Sequence, residues 1–503
     1  MKFKRIPSLA ALVSAAAILL QATSCGFIIV NDMSHEAGES APGSAENAAS
    51  AETTAFQPED YTPYTPKDYY SLSRQYLADL PERDYGGSVF FITTPSTDYI
   101  DPDNTASVVN KLAVERNEDV AEQFGVTMIP TVSDASTMLS ELAQAVAADS
   151  YYTDLLMVPV YMVGNFRAAD TLINMRTLPF FNVDQPYFNK DSSDMTSGGY
   201  STYGIAGQAS IAPSSFSALF MNKNVLIEAG LDPYALYDSA AQGTLTWDNI
   251  LTCINAVKTL NGDRTASGLP AYYTMTAQNT ADRLPDLVFK SGGNDYVKTG
   301  TRAIPVVGYT VKTVQKTMDI LAQFYNDQYS ITDSTAGAIN CFSGGESAFL
   351  VDYLYIMSWM PGAKADWGVL PLPKGKEADD YRTLISNTEL VFAVPKNHTN
   401  GEIPAIILSA LNAASYGHIY DEYVNYHMAE VLRDNDSINM LELILTTASF
   451  DFALAFGNAY PTIASATYRL IRDCAATNNL DDYFTDRRTT AQTTLKEYFP
   501  LKH

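Results

Sequence analysis

The sequence predicts an α/β protein of two lobes joined by two crossover segments, with a helix-rich C-terminal part. Three observations lead there. From residue 84 onward, short apolar runs alternate with stretches whose apolar residues recur every three or four positions. That order builds a parallel sheet with helices on its faces. After about residue 205 the alternation starts afresh with different residues. Two short segments rich in glycine or proline, Tyr203–Gln208 and Gly368–Asn387, then read as crossings between the two series.

The elements follow in order. Ser88–Thr93 (Ser-Val-Phe-Phe-Ile-Thr) has the β-branched and aromatic content of a buried strand. Thr105–Phe124 places Val109, Leu112, Val120 and Phe124 at helical spacing, and Gly125 closes it. Val126–Val132 alternates as a strand, Ser136–Ala148 is helical, and Asp154–Val158 is a strand again. In the second series Ala218–Met221 is a strand, and Asn222–Ala229 is a helix closed by Gly230. Thr246 caps a helix with Trp247, Ile250, Leu251, Ile254, Val257 and Leu260 on one stripe. Trp247 belongs to that packed stripe. Val311–Tyr325 is a further amphipathic helix, and the chain from Glu402 on is mostly helix. The expected lobes are 84–204 plus 376–433 and 205–375 plus 434–503.

The beginning of the chain points to secretion. Lys2, Lys4 and Arg5 precede an apolar run, Leu9–Leu20, and small residues then lead to Cys25. A basic start, a short apolar core and a small-residue cleavage site make a signal peptide over 1–24. Ala22-Thr23-Ser24-Cys25 looks like a lipobox, which implies lipidation of Cys25 and a place on the extracellular face of the cell membrane. Residues 25–83 read as a lipidated N-terminus and tether, because their Ala, Ser, Glu, Thr and Pro cannot bury a core. The forty residues from 26 to about 65 would span roughly 35 Å, at about 5–6 Å × √n.

Composition narrows the class of function. The chain is 46% hydrophobic and 11% aromatic, enough for two ordinary cores. Its formal net charge of −25 repels nucleic acid and anionic lipid, and disfavours an anionic cargo without a local basic site. Beyond Cys25, the three cysteines Cys253, Cys341 and Cys474 are no disulfide framework, although one bridge such as Cys253–Cys474 stays open. No zinc-protease, serine-hydrolase, P-loop or dinucleotide-binding signature occurs, and His418 and His427 lack a ligand-spaced partner.

Three groups of residues carry a family resemblance. One is Ala218-Leu219-Phe220-Met221-Asn222-Lys223 with Glu228-Ala229-Gly230-Leu231-Asp232-Pro233 and Thr246-Trp247-Asp248. Another is Phe342-Ser343-Gly344-Gly345-Glu346-Ser347-Ala348-Phe349 with Asp366-Trp367-Gly368-Val369-Leu370-Pro371-Leu372-Pro373-Lys374-Gly375. The last is Val114-Glu115-Arg116-Asn117 with Glu122-Gln123-Phe124-Gly125-Val126 and, later, Asp436-Ser437-Ile438-Asn439-Met440-Leu441, in the form of the clostridial-type branch. Together they resemble the extracellular solute-binding proteins of ABC importers, the family that includes maltodextrin-binding protein. The resemblance implies a type II periplasmic-binding-protein-like fold that closes on a small polar solute, a sugar or oligosaccharide, and delivers it as a monomer to the permease subunits. Together with the charge, the missing catalytic motifs and the histidine spacing, this reading expects no catalysis, no nucleic-acid partner, and no metal or cofactor. The loop from Asn261 to Gly268 has too few oxygen ligands for an EF-hand-like calcium site.

A sugar site needs aromatic platforms beside planar polar groups. By resemblance, the stretch after the Gly-Glu motif offers Tyr355 as the platform, with Asp352 or Tyr353 as hydrogen-bond partner; Tyr355 packing on Trp359 is the competing reading. Gln208 stands where relatives carry a sugar-touching acid. Thr94 and Ser96 end the first strand, and Tyr161 follows the third, both at cleft positions of such a fold. Arg283, Asn387 and Tyr460 complete the candidates. A surface glycoside hydrolase and a non-transport sensor or adhesin remain the alternatives.

Overall fold

The computed structural model describes residues 68–96, 100, 107–262, 271–277, 283–299, 304–325, 330–331, 335–432, 434–477, 480 and 484–500. The expected signal peptide, Cys25 and most of the loop from Asn261 to Gly268 lie outside them. The strands that carry the fold are β1 (Ser88–Thr94), β2 (Val126–Val132), β3 (Leu155–Pro159), β4 (Ser217–Asn222), β5 (Tyr273–Ala277), β6 (Ser330–Ile331), β7 (Ser347–Tyr353), β8 (Trp367–Leu370), β9 (Thr383–Leu384), β10 (Leu390–Ala393) and β11 (Ala448–Ser449).

The first lobe is a sheet of order β10-β3-β1-β2. β1 runs parallel to β2 and β3, and β10 closes the edge antiparallel to β3. All five residues of β3 are buried, as a central strand covered on both faces requires. β2 lies at an edge, which explains why it tolerates Pro130. The helix Val108–Phe124 begins on Ser107, whose hydroxyl accepts from the Asn110 N–H, and ends on Gly125 in the left-handed conformation, φ 58°.

The second lobe is a mixed sheet of order β6-β5-β7-β4-β8. β6, β5 and β7 are parallel, whereas β4 runs antiparallel to both β7 and β8. The helix Trp247–Gly262 lays Trp247, Ile250, Cys253, Ile254 and Val257 on the core, and the Trp247 indole N–H donates to the Ser291 hydroxyl at 3.0 Å. At its start Thr246 donates its own N–H to the Asn249 side chain, half of a capping box. Cys253, Cys341 and Cys474 are each buried and free, so the open Cys253–Cys474 bridge does not form.

Two of the motif segments meet in this lobe. Lys223, at the end of β4, is buried and pairs with Asp434 at 2.7 Å and Asp366 at 3.1 Å. Asp434 also caps the helix Asn435–Thr446 through the Ser437 N–H and accepts from the Tyr237 hydroxyl. A buried ammonium needs such partners, because desolvation would otherwise neutralise it.

Three details differ from the sequence reading. The tether does not extend to residue 83: Tyr69–Ala78 is a helix capped by Asp68 and packed on the helices Glu402–Ser415 and His418–Glu430. Tyr69, Tyr76 and Leu77 fall on one helical stripe, which the polar composition around them conceals. Next, Trp367–Leu370 belongs to the second sheet, so the second crossing begins only after it. Finally, the described residues show a third crossing. β11 pairs in parallel with β9, adding a strap beside residues 205–216 and 371–389. The chain beyond it is also divided. The helix Phe452–Phe456 packs on residues 160–168 of the first lobe, while Tyr468–Thr477 packs on Leu284–Ser291 and Val311–Tyr325 of the second.

Candidate functional site

A cavity of about 560 Å³ lies between the lobes beside these crossings, within the range of small-molecule sites. The first lobe and second crossing contribute Tyr161 and Asn387. Tyr161 follows the carboxyl end of β3, where ligands favour open α/β sheets. The Val160 N–H donates to the Glu389 carbonyl at 2.8 Å and the Tyr161 N–H to the Asn387 carbonyl at 3.0 Å, so the strand end and the crossing are stitched together.

The opposite wall comes from the helix Tyr468–Thr477. Leu470, Ile471 and Cys474 bury one face, leaving Tyr468, Arg469, Arg472 and Asp473 toward the cavity. Arg472 lies 4.8 Å over the Tyr468 ring and pairs with Asp286 at 2.5 Å. Asp286 also accepts from the buried Tyr296 hydroxyl. Asp473 faces Arg487 at 3.6 Å. Leu454 and Asn458 complete the lining, and the Asn458 amide donates to Asn165 at 3.2 Å. Burial pushes the Tyr468 hydroxyl above its usual pKa, so it stays a neutral hydrogen-bonding group. The cavity therefore pairs two tyrosine rings with asparagine amides and guanidinium groups.

Of the sequence-predicted residues, this cavity gathers Tyr161 and Asn387. Arg283, Asp352 and Tyr353 cluster separately, at the carboxyl ends of β5 and β7. There Arg283 sits over the Tyr353 ring at 5.6 Å. Burial raises Asp352 to about 7 against the Tyr353 N–H, Arg283 and Tyr355, which all favour its charged form. Tyr355 makes an edge-to-face contact with the exposed Trp359, 5.8 Å between centroids. Gln208 lines another cavity of about 260 Å³, with Tyr69, Tyr187, Tyr416 and Tyr420, that shares no residue with the first. The Thr94 hydroxyl bonds the Ser96 backbone in a local turn. Tyr460 is buried and accepts from Arg167 at 2.5 Å.

The sequence reading missed Tyr468, Arg469, Arg472 and Asp473. Their signal was the i, i+4 spacing of an aromatic, two arginines and an aspartate, Tyr468 to Arg472 and Arg469 to Asp473, opposite an apolar stripe. It could not reveal that this helix faces the cleft, because that depends on the third crossing.

No family profile matches the chain, and no curated protein does. Solved structures do. The cyclic α-maltosyl-1,6-maltose binding protein of Arthrobacter globiformis aligns over 82% of this chain and 100% of its own, at 13% identity and a TM-score of 0.56. The galacto-N-biose/lacto-N-biose I-binding protein of a Bifidobacterium longum ABC transporter covers 82% and 98%, at 16% identity and a TM-score of 0.52. The fold is that of the periplasmic-type sugar-binding proteins. At such identities the likeness concerns architecture, so the chemistry rests on the cavity itself.

Proposed function

We propose that this chain is the extracellular substrate-binding lipoprotein of an ABC importer, capturing a saccharide between its lobes and delivering it to a membrane permease. The observation that carries the reading is the cavity at the carboxyl end of β3, walled by Tyr161 and Asn387 on one side and Tyr468 on the other. Tyrosine rings offer the apolar face that sugar C–H groups need, while Asn387 and Asn458 offer donors and acceptors to hydroxyls. The crossings allow the lobes to close, and a ligand touching both walls favours the closed form by its differential affinity. A lipid on Cys25, in the lipobox-like Ala22-Thr23-Ser24-Cys25, would hold the body at the outer face of the cell membrane. It would work there as a monomer, with no resident cofactor.

Titration calorimetry against a panel of mono- and oligosaccharides, with small-angle scattering on each mixture, tests this reading. Heat and compaction with at least one sugar are expected. No binding across the panel would remove the proposal, and turnover of a bound glycoside would move the protein to the hydrolases.

A further inference from the structure

We infer that the cavity selects a saccharide carrying a single carboxylate, of the uronic-acid type, and that Arg469 receives that carboxylate. The inference rests on the saccharide-binding reading above and adds the charge of the ligand. A chain with a net charge of −25 repels anions at long range, so a cationic group in its cleft calls for a local reason. Three charged side chains line the cavity: Arg469, Arg472 and Asp473. Arg472 is answered by Asp286 at 2.5 Å, and Asp473 faces Arg487 at 3.6 Å. No carboxylate pairs with Arg469 among the described residues. Among the described residues, the cavity thus holds one uncompensated positive charge.

Position fits the same ligand. Arg469 interacts with the Tyr468 hydroxyl, next to it on the helix, so a stacking face and a cation are adjacent. A uronic acid has that layout, with a ring of C–H groups and one coplanar-oxygen anion at its edge. A guanidinium binds a carboxylate through two parallel N–H···O bonds. A phosphorylated sugar fits less well, because a second negative charge would meet Asp473 with no free cation among the described residues to balance it.

Calorimetry on the purified protein tests the inference, using galactose oligomers that carry one galacturonate residue against all-neutral galactose oligomers of the same length, with galactose 6-phosphate as a third arm. The acidic oligomer should bind about 10- to 100-fold more tightly, the range of one charged hydrogen-bonded pair. Raising the salt concentration should weaken only the acidic ligand. Arg469→Gln should erase the preference for the acidic oligomer, and a circular dichroism spectrum and melting temperature matching the parent show that the variant is folded. Neutral oligomers binding as well as acidic ones, or Arg469→Gln weakening both equally, would overturn this inference and leave the saccharide-binding reading standing. The same holds if galactose 6-phosphate binds best. Absence of binding by every sugar would overturn both.

Discussion

Replacing Asp352 by asparagine should stabilise the protein strongly at pH 8 and change it little at pH 4. Asp352 ends β7 and is almost fully buried, and burial lifts its carboxyl to about 7 from 3.8. The folded protein therefore keeps this proton through a range in which the unfolded chain has lost it. Between about pH 4 and pH 7 the folded state binds more protons, so stability falls as pH rises and stays lower above 7. A difference of about 3 on the pH scale, at ~1.4 kcal/mol per pH, amounts to about 4 kcal/mol. The asparagine amide keeps the shape of the neutral acid, can still accept from the Tyr353 N–H, and never ionises. Urea unfolding of both proteins at pH 4 and pH 8 is the assay. Every other titrating group, including Asp451, raised to about 6 by burial, is shared and cancels in the difference. The stability gap in favour of the variant should grow by about 4 kcal/mol between the two pH values. A gap that is flat, or that turns against the variant at pH 8, would refute the reasoning.

Three further outcomes can be checked. Lys223→Ala leaves Asp434 and Asp366 without their buried cation and should cost about 3–5 kcal/mol by chemical denaturation. Tyr468→Ala removes one wall of the cavity and should weaken saccharide binding at least ~10-fold by calorimetry, since stacked aromatic anchors dominate such sites. Gly207→Ala puts a methyl 2.6 Å from the Tyr187 carbonyl and against the Asn412 side chain, within the first crossing. Its melting temperature should fall by several degrees, at roughly 4–8 °C per kcal/mol in a small domain and less in a body of this size.

The parts of the fold legible in the sequence are those where one local pattern decides. The helix Val311–Tyr325 has the bounds read from its apolar spacing, and Gly125 and Gly230 stop helices because each adopts positive φ. Val126–Val132 alternates because it is a half-covered edge strand. What escaped depends on distant partners. β11 has two residues, Ala448 and Ser449, and exists only because β9 lies alongside. The helix Tyr69–Ala78 sits within polar surroundings and is held by Tyr187 and Tyr416, far along the chain. The candidate site divides in the same way. Tyr161 and Asn387 could be placed because a strand end and a crossing fix them. The Tyr468 wall could not, since nothing local tells which face of a C-terminal helix meets the cleft.

The interleaving of the sheets bears on how the protein is made. β10, the edge strand beside β3, is encoded after every strand of the second sheet, and the crossing strand β11 comes later still. The N-terminal lobe therefore lacks a strand until most of the polypeptide has emerged. Neither half is a contiguous unit that could mature during synthesis, and pairings so remote in sequence form slowly. A nascent chain that stays open for so long would suit the export in an unfolded state that the lipoprotein reading proposed above requires.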